Sequence, residues 1–220
     1  MSLAIIPARG GSQRIKSKNI KDFFGKPVIH YAIRLAKKTN LFSRIIVSTD
    51  SLRIKYISEK AGAEVLFIRP KKLSNHLTPI IDVMSHAIKT LKEKNINYKY
   101  TCCIFPVSPL LKKNMIKKAK DILIKRKLNY IFPVTKKTLS NNSPLLVNNN
   151  WKITSSKVNS SKFYDAGQFY WSKSVFWEKK KRIFSNKSGV IFFKESKLID
   201  VNVIKDWKNL KLIYKKQKKI

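Results

Sequence analysis

The stretch Leu3 to Asn19, LAIIPARGGSQRIKSKN, constrains this chain more than any other: an apolar run leads without a break into a loop rich in glycine and positive charge. The run from Leu3 to Ile6, closed by Pro7, reads as a buried strand. Gly10 and Gly11 open backbone angles denied to other residues, so successive N–H groups are free to turn inward around an anion. Arg9, Arg14 and Lys18 bring countercharge. The Arg9 guanidinium offers a fork of donors to phosphate oxygens, whereas Lys18 acts as a mobile point charge. Two readings of the glycine pair stay open at this level: a polyphosphate cradle, or a tight strand-to-helix turn whose cations are only solvated.

The residues after the loop predict the frame around it. Val28 to Lys38 has the apolar spacing of an amphipathic helix, with Pro27 near its first turn. Arg44 to Ser48 reads as a strand, Leu52 to Ala61 as a helix stopped by Gly62, and Glu64 to Ile68 as a third strand. This βαβαβ order predicts a parallel sheet with right-handed crossovers and ligands at the carboxyl ends of its strands. Asp50 stands at that edge, where it either meets a ligand or caps the next helix. Further on come a helix from Asp82 to Lys94 carrying His86, a strand from Tyr100 to Phe105, a helix from Lys113 to Lys127 and a strand from Tyr130 to Thr135. Ser108 comes after the fourth strand, either touching a ligand or making the turn. From Lys136 to Lys162 the composition shifts to Asn, Ser and Lys with little periodicity, which reads as an insertion within one domain spanning 1–220. Closing strands are expected at Gly189 to Phe193 and Leu198 to Val203, then a helix from Lys205 to Tyr214.

In Asp165-Ala166-Gly167-Gln168-Phe169-Tyr170-Trp171, Gln168 and Tyr170 alternate with Phe169 and Trp171 as on a strand with two different faces. One such face either lines a pocket, where amide and phenol groups would hydrogen-bond a polar ligand, or is a core strand with a polar edge.

Three blocks resemble the acylneuraminate cytidylyltransferases, which make CMP-activated nonulosonic acids: IIPARGGSQRIKSKNIKDFFGKPVIHYAI from Ile5, IIVSTDS from Ile45, and YDAGQFYW from Tyr164. Arg14-Ile15 and the DAGQFYW string are most similar to the pseudaminic acid branch of that family. The resemblance implies an α/β fold, a mostly parallel Rossmann-like sheet flanked by helices of the nucleotide-diphospho-sugar transferase type, with 136–162 as a small dimerisation lobe. It implies transfer of CMP from CTP to a nine-carbon sugar acid, with Mg²⁺ as cofactor and a homodimer as the working form. The same chemistry on N-acylneuraminic or legionaminic acid, or a catalytically impaired nucleotide-binding homologue, are the rival expectations. The implied roles put Arg9 and Lys18 on the reacting phosphates, and Ala8, Gly10, Gly11, Ser12, Asn19 and Arg69 on the nucleotide. Ser108, Asp165, Gln168 and Tyr170 would hold the sugar acid, and Asp200 with Asn202 the metal.

Several positions depart from the family pattern. Asn202 replaces the second carboxylate of an Asp-Ile-Asp motif, Gln13 replaces a lysine, and Asn75-His76 replaces an acidic pair. Arginines expected near Ser143 and Ser155 are missing.

The formal charge of +36 invites a nucleic-acid reading. That reading is set aside: the lysines are spread over every segment, and the runs Lys179 to Arg182 and Lys215 to Lys219 lack interleaved aromatics on which bases would stack. The adjacent Cys102 and Cys103 form no metal or redox spacing and suit a reducing cytosol, so a cytoplasmic location is expected. No apolar stretch approaches the ~20 residues of a membrane span.

Overall fold

The computed structural model describes residues 2–136, 143–193 and 198–218, and its centre is β1 (Ser2–Pro7). Alternation along this strand feeds two cores at once: Ala4 and Ile6 pack on one side of the sheet, Leu3 and Ile5 on the other. β4 (Phe42–Ser48) and β5 (Tyr100–Ile104) flank β1, both parallel to it. Next come β9 (Phe169–Lys173), β6 (Tyr130–Thr135), β8 (Ser160–Asp165) and β7 (Leu145–Asn148), with β10 (Gly189–Phe192) also pairing with β6. β9 is antiparallel to β5 and to β6, so β5 and β6 keep the common direction around one reversed strand.

Helices cover both faces. α1 (Ile29–Thr39), α4 (Lys113–Lys125) and α6 (Ile204–Lys218) pack on the side of Ala4 and Ile6, together with Ile54 of α2 (Leu52–Lys60). α3 (Ile80–Glu93) and the short α5 (Ser174–Glu178) cover the other. Cys102 and Cys103 sit in opposite cores, as neighbours on a strand must, and burial pushes both thiols up, away from reactivity. A two-residue ribbon, β2 (Asp22–Phe23) with β3 (Lys26–Pro27), places Phe23 edge-on against Tyr31, Trp207 and Tyr214 at 5.1–5.7 Å. Those rings dock α6 beside the N-terminal loop.

Two expected strands are not formed. Glu64 to Ile68 meets its neighbour only through the single bridges Ile46 to Glu64 and Thr49 to Ile68, with Ile68 at the surface. Leu198 to Val203 forms no ladder, because its end is committed to a helix start: the buried Asp206 carboxylate accepts the N–H groups of Asn202 and Val203 at 2.8 and 2.9 Å, ahead of α6. Of the 136–162 stretch, residues 137–142 lie outside the described residues. The remainder pairs β7 with β8 antiparallel beyond β6, and Trp151 in the connection stacks near Phe192 and Phe163.

Candidate active site

A cleft of about 240 Å³ opens at the carboxyl ends of β1 and β5, where the strand order places ligands. Its first wall is the N-terminal loop, through Arg9, Ser12, Gln13, Arg14, Lys18 and Asn19. The second follows the bridged segment, through Arg69, Asn75, His76 and Thr78. Gly167, Asp200, Val201 and Asn202 form the third, and Phe105 to Val107 make the floor.

The loop owes its shape to bonds reaching far along the chain. Gly10 gives its N–H to Asp50 Oδ1 at 2.8 Å, and a Cβ on Gly10 would lie 3.1 Å from Ser51 Cβ. Asp50 therefore braces the loop; it is Ser51 that caps α2, accepting from the Ile54 N–H. Asn19 donates to the Arg9 carbonyl at 2.9 Å, and Lys18 Nζ donates to the Val201 carbonyl at 2.8 Å. Ala8 is fully buried with its N–H on Ser48, and Gly11 faces open space. Of the loop's sequence-predicted residues, Arg9, Ser12, Lys18 and Asn19 line the cleft, whereas Ala8, Gly10 and Gly11 do not.

The site is short of anions. Burial works against the Lys18 charge, partly offset by Asp200 and worsened by Arg14 and Arg9. Arg69 is 3% exposed, gives its Nε to Ser74 Oγ at 3.1 Å, and leaves Nη2 buried with no partner among the described residues. Burial also lowers its pKa, with Asp50 opposing and Arg9 adding to the effect. A buried guanidinium with an idle donor costs free energy that an incoming anion or carbonyl would recover. Behind it on α3, His86 lies edge-on to Phe67 at 5.4 Å with Nδ1 unpartnered, and burial and Arg69 favour its neutral form.

Asp200 offers a carboxylate to the cleft, and Asn202 donates its amide to Asp200 Oδ2 at 2.7 Å. Among the described residues no three His, Cys, Asp or Glu side chains gather as a metal cage. One carboxylate beside an amide suits Mg²⁺ only when phosphate oxygens and water complete its octahedron. The donor set therefore fits a metal that arrives on a triphosphate.

The residues expected on the sugar acid sit behind this wall. Ser108 donates to the Phe105 carbonyl and makes the turn after β5. Gln168 is 1% exposed and its amide is spent on three carbonyls. Tyr170 is buried and donates its hydroxyl to Asp165 Oδ2, while Asp165 Oδ1 accepts the Gly167 N–H at 3.1 Å. The sequence leaves Asp50 open between a ligand contact and a helix cap; the structure uses it to brace the loop from 40 residues away, a bond that no local pattern encodes. The sequence assigns no role to Thr78 or Asp206, although Thr78 comes after Arg69 at the ligand-bearing edge and Asp206 reaches back only three and four residues, as a carboxylate in the first turn of a helix does.

A family model described as cytidylyltransferase matches residues 3–220 of the chain. The chain belongs to the cytidylyltransferases. Among its relatives, the pseudaminic acid cytidylyltransferase of Campylobacter jejuni subsp. jejuni serotype O:2 is 32% identical, over 97% of this chain and 96% of that protein. The CMP-N,N'-diacetyllegionaminic acid synthase of Legionella pneumophila is 29% identical, over 68% of this chain and 60% of that protein. Among solved structures, a CMP:2-keto-3-deoxy-manno-octonic acid synthetase complexed with CTP superposes with a TM-score of 0.74 over 98% of this chain and 99% of that one, at 13% identity, which bears on the fold alone. The Rossmann-like α/β class read from the sequence is the fold that this cytidylyltransferase adopts. No helix among the described residues is long and apolar enough to cross a membrane.

The partly buried Asp165 carboxyl of this cytidylyltransferase carries a pH effect. Burial pushes Asp165 from 3.8 up to about 6; hydrogen bonds from Tyr170 and Gly167 oppose the rise and the Asp200 charge adds to it. Between those two values the folded protein binds more protons than the unfolded chain, so this group's contribution to stability is complete below about pH 4 and is lost as pH rises through 6. Relative to wild type, Asp165→Asn should therefore gain on the order of 2 kcal/mol on going from pH 4 to pH 7. Urea unfolding at the two pH values measures it; an equal difference at both would show that the carboxyl carries no such burden.

Proposed function

We propose that this cytidylyltransferase activates pseudaminic acid, joining CMP from CTP to the sugar acid and releasing pyrophosphate. The observation that carries the substrate assignment is the 32% identity to pseudaminic acid cytidylyltransferase over nearly the whole of both chains. In this reading the anomeric hydroxyl attacks the α-phosphorus, the hydroxyl gives up its proton, and the bond to pyrophosphate breaks. Arg9 and Lys18 hold the triphosphate and take up charge developing on its oxygens, with Arg14 at the rim. The idle Arg69 Nη2 meets the nucleotide. Asn19 keeps the Arg9 backbone in place through its carbonyl, which fixes where the guanidinium starts. No covalent enzyme intermediate is required, so positioning and charge supply the catalysis.

Asp200, with the Asn202 amide beside it, would hold Mg²⁺ as it enters with CTP. Bound there, the ion neutralises charge on the phosphate oxygens. The working form is a homodimer and its place the cytoplasm; light scattering checks the first, expecting twice the chain mass of 25.6 kDa. For the reaction, purified protein with CTP, Mg²⁺ and separate pseudaminic, legionaminic and N-acetylneuraminic acids should release pyrophosphate fastest with pseudaminic acid. Faster release with another acid would reassign the substrate, and release with none would leave a nucleotide-binding homologue.

A further inference from the structure

The polar residues of the DAGQFYW string turn away from the cleft, and what they grip is the segment that carries Asp200. Gln168 Nε2 donates to the carbonyls of Ala166 at 2.9 Å, Gly167 at 3.3 Å and Ile199 at 2.9 Å. A carboxamide nitrogen has donors and no free lone pair, so three carbonyl oxygens around one atom settle which end of the side chain is nitrogen. The same group thus clasps the 166–168 turn to a backbone position 31 residues away, one residue before Asp200.

Gly167 completes the seat. Its φ is +57°, and a Cβ there would stand 2.7 Å from both Cγ and Oδ1 of Asp200, so the carboxylate rests on a bare backbone. Asp165 holds that backbone by accepting the Gly167 N–H. The segment around Asp200 has no strand ladder. It is tied before Asp200 by Gln168 and after it by Lys18 and the Asp206 carboxylate. Losing the first tie frees one side of the carboxylate's anchorage while leaving the cleft's other walls in place.

We propose that Gln168 is a positioning residue that fixes Asp200 in the cleft through the Ile199 carbonyl, governing capture of the divalent ion with the nucleotide and making no contact with the sugar acid. This rests on reading Asp200 as the metal-binding carboxylate. Groups that orient a ligand without touching the metal typically change metal affinity by about 10- to 100-fold when removed.

The test is Gln168→Met, close in shape and without donors. With CTP present, binding of Mn²⁺ tracked by electron paramagnetic resonance should weaken by about tenfold, and the Mg²⁺ concentration giving half-maximal turnover should rise by a similar factor. The KM for the sugar acid at saturating Mg²⁺ should stay within about twofold, since that substrate is not touched. A raised sugar KM with Mn²⁺ binding unchanged would overturn the proposal and make Gln168 a substrate contact. Should circular dichroism show that the Met variant does not fold, Gln168→Leu serves in its place. It is smaller, carries no donor in any protonation state, and should weaken Mn²⁺ binding likewise; unchanged binding overturns the role. Mn²⁺ binding to the wild-type complex that Gln168→Met leaves intact removes only the role of Gln168. A wild-type protein that neither retains Mn²⁺ with CTP nor releases pyrophosphate with any sugar acid removes the proposed function, and this inference with it.

Discussion

Replacing Lys18 with alanine should lower turnover by about 10²- to 10³-fold while the protein stays folded, the loss typical of a group that stabilises charge developing in the transition state. The side chain has the features such a role needs. It lines the cleft, its ammonium is held at 2.8 Å by the Val201 carbonyl, and burial makes its charge expensive until an anion arrives. Removing it costs the fold one hydrogen bond, worth roughly 1 kcal/mol, and no core packing. Pyrophosphate release at saturating CTP measures the first effect and a thermal melt the second. Turnover within about threefold of wild type would remove Lys18 from the mechanism.

Gly167→Ala should be nearly as damaging by a different route. The alanine methyl would occupy space 2.7 Å from the Asp200 carboxylate carbon and 3.1 Å from its Cβ, so turning the carboxylate in place does not clear it. At φ +57° an alanine also bears roughly 1–2 kcal/mol of backbone strain. Because the clash falls on the cleft side, the carboxylate must leave its seat, and turnover should fall about 100-fold, the cost of misplacing a reacting group by about 1 Å. Stability should drop by only the strain and local repacking. Turnover close to wild type would mean that Asp200 works from a position Gly167 does not dictate.

The parts of the molecule that were readable beforehand are those whose causes are local. β1 and the loop after it are one continuous stretch, so the strand, its exit and its cations are spelled out in order. Cys102 and Cys103 had to face opposite cores once β5 was recognised. The alternation from Gln168 to Trp171 is real, yet it names two faces without saying that either meets solvent. β9 lies between β5 and β6, so Phe169 and Trp171 enter one core and Tyr170 the other, with no wet face left for a sugar. Reversal of β9 was equally hidden, since a short apolar strand reads alike in both directions. The bond between Gly10 and Asp50 spans 40 residues, and the capping of Asn202 and Val203 by Asp206 depends on where α6 begins. Such facts belong to the assembled chain.

The tie from Lys18 to Val201 joins residues 183 positions apart. The two ends of the chain therefore close one cleft between them: the basic loop supplies its first wall, residues 200–202 supply part of its third, and the Lys18 ammonium is held only where both are present.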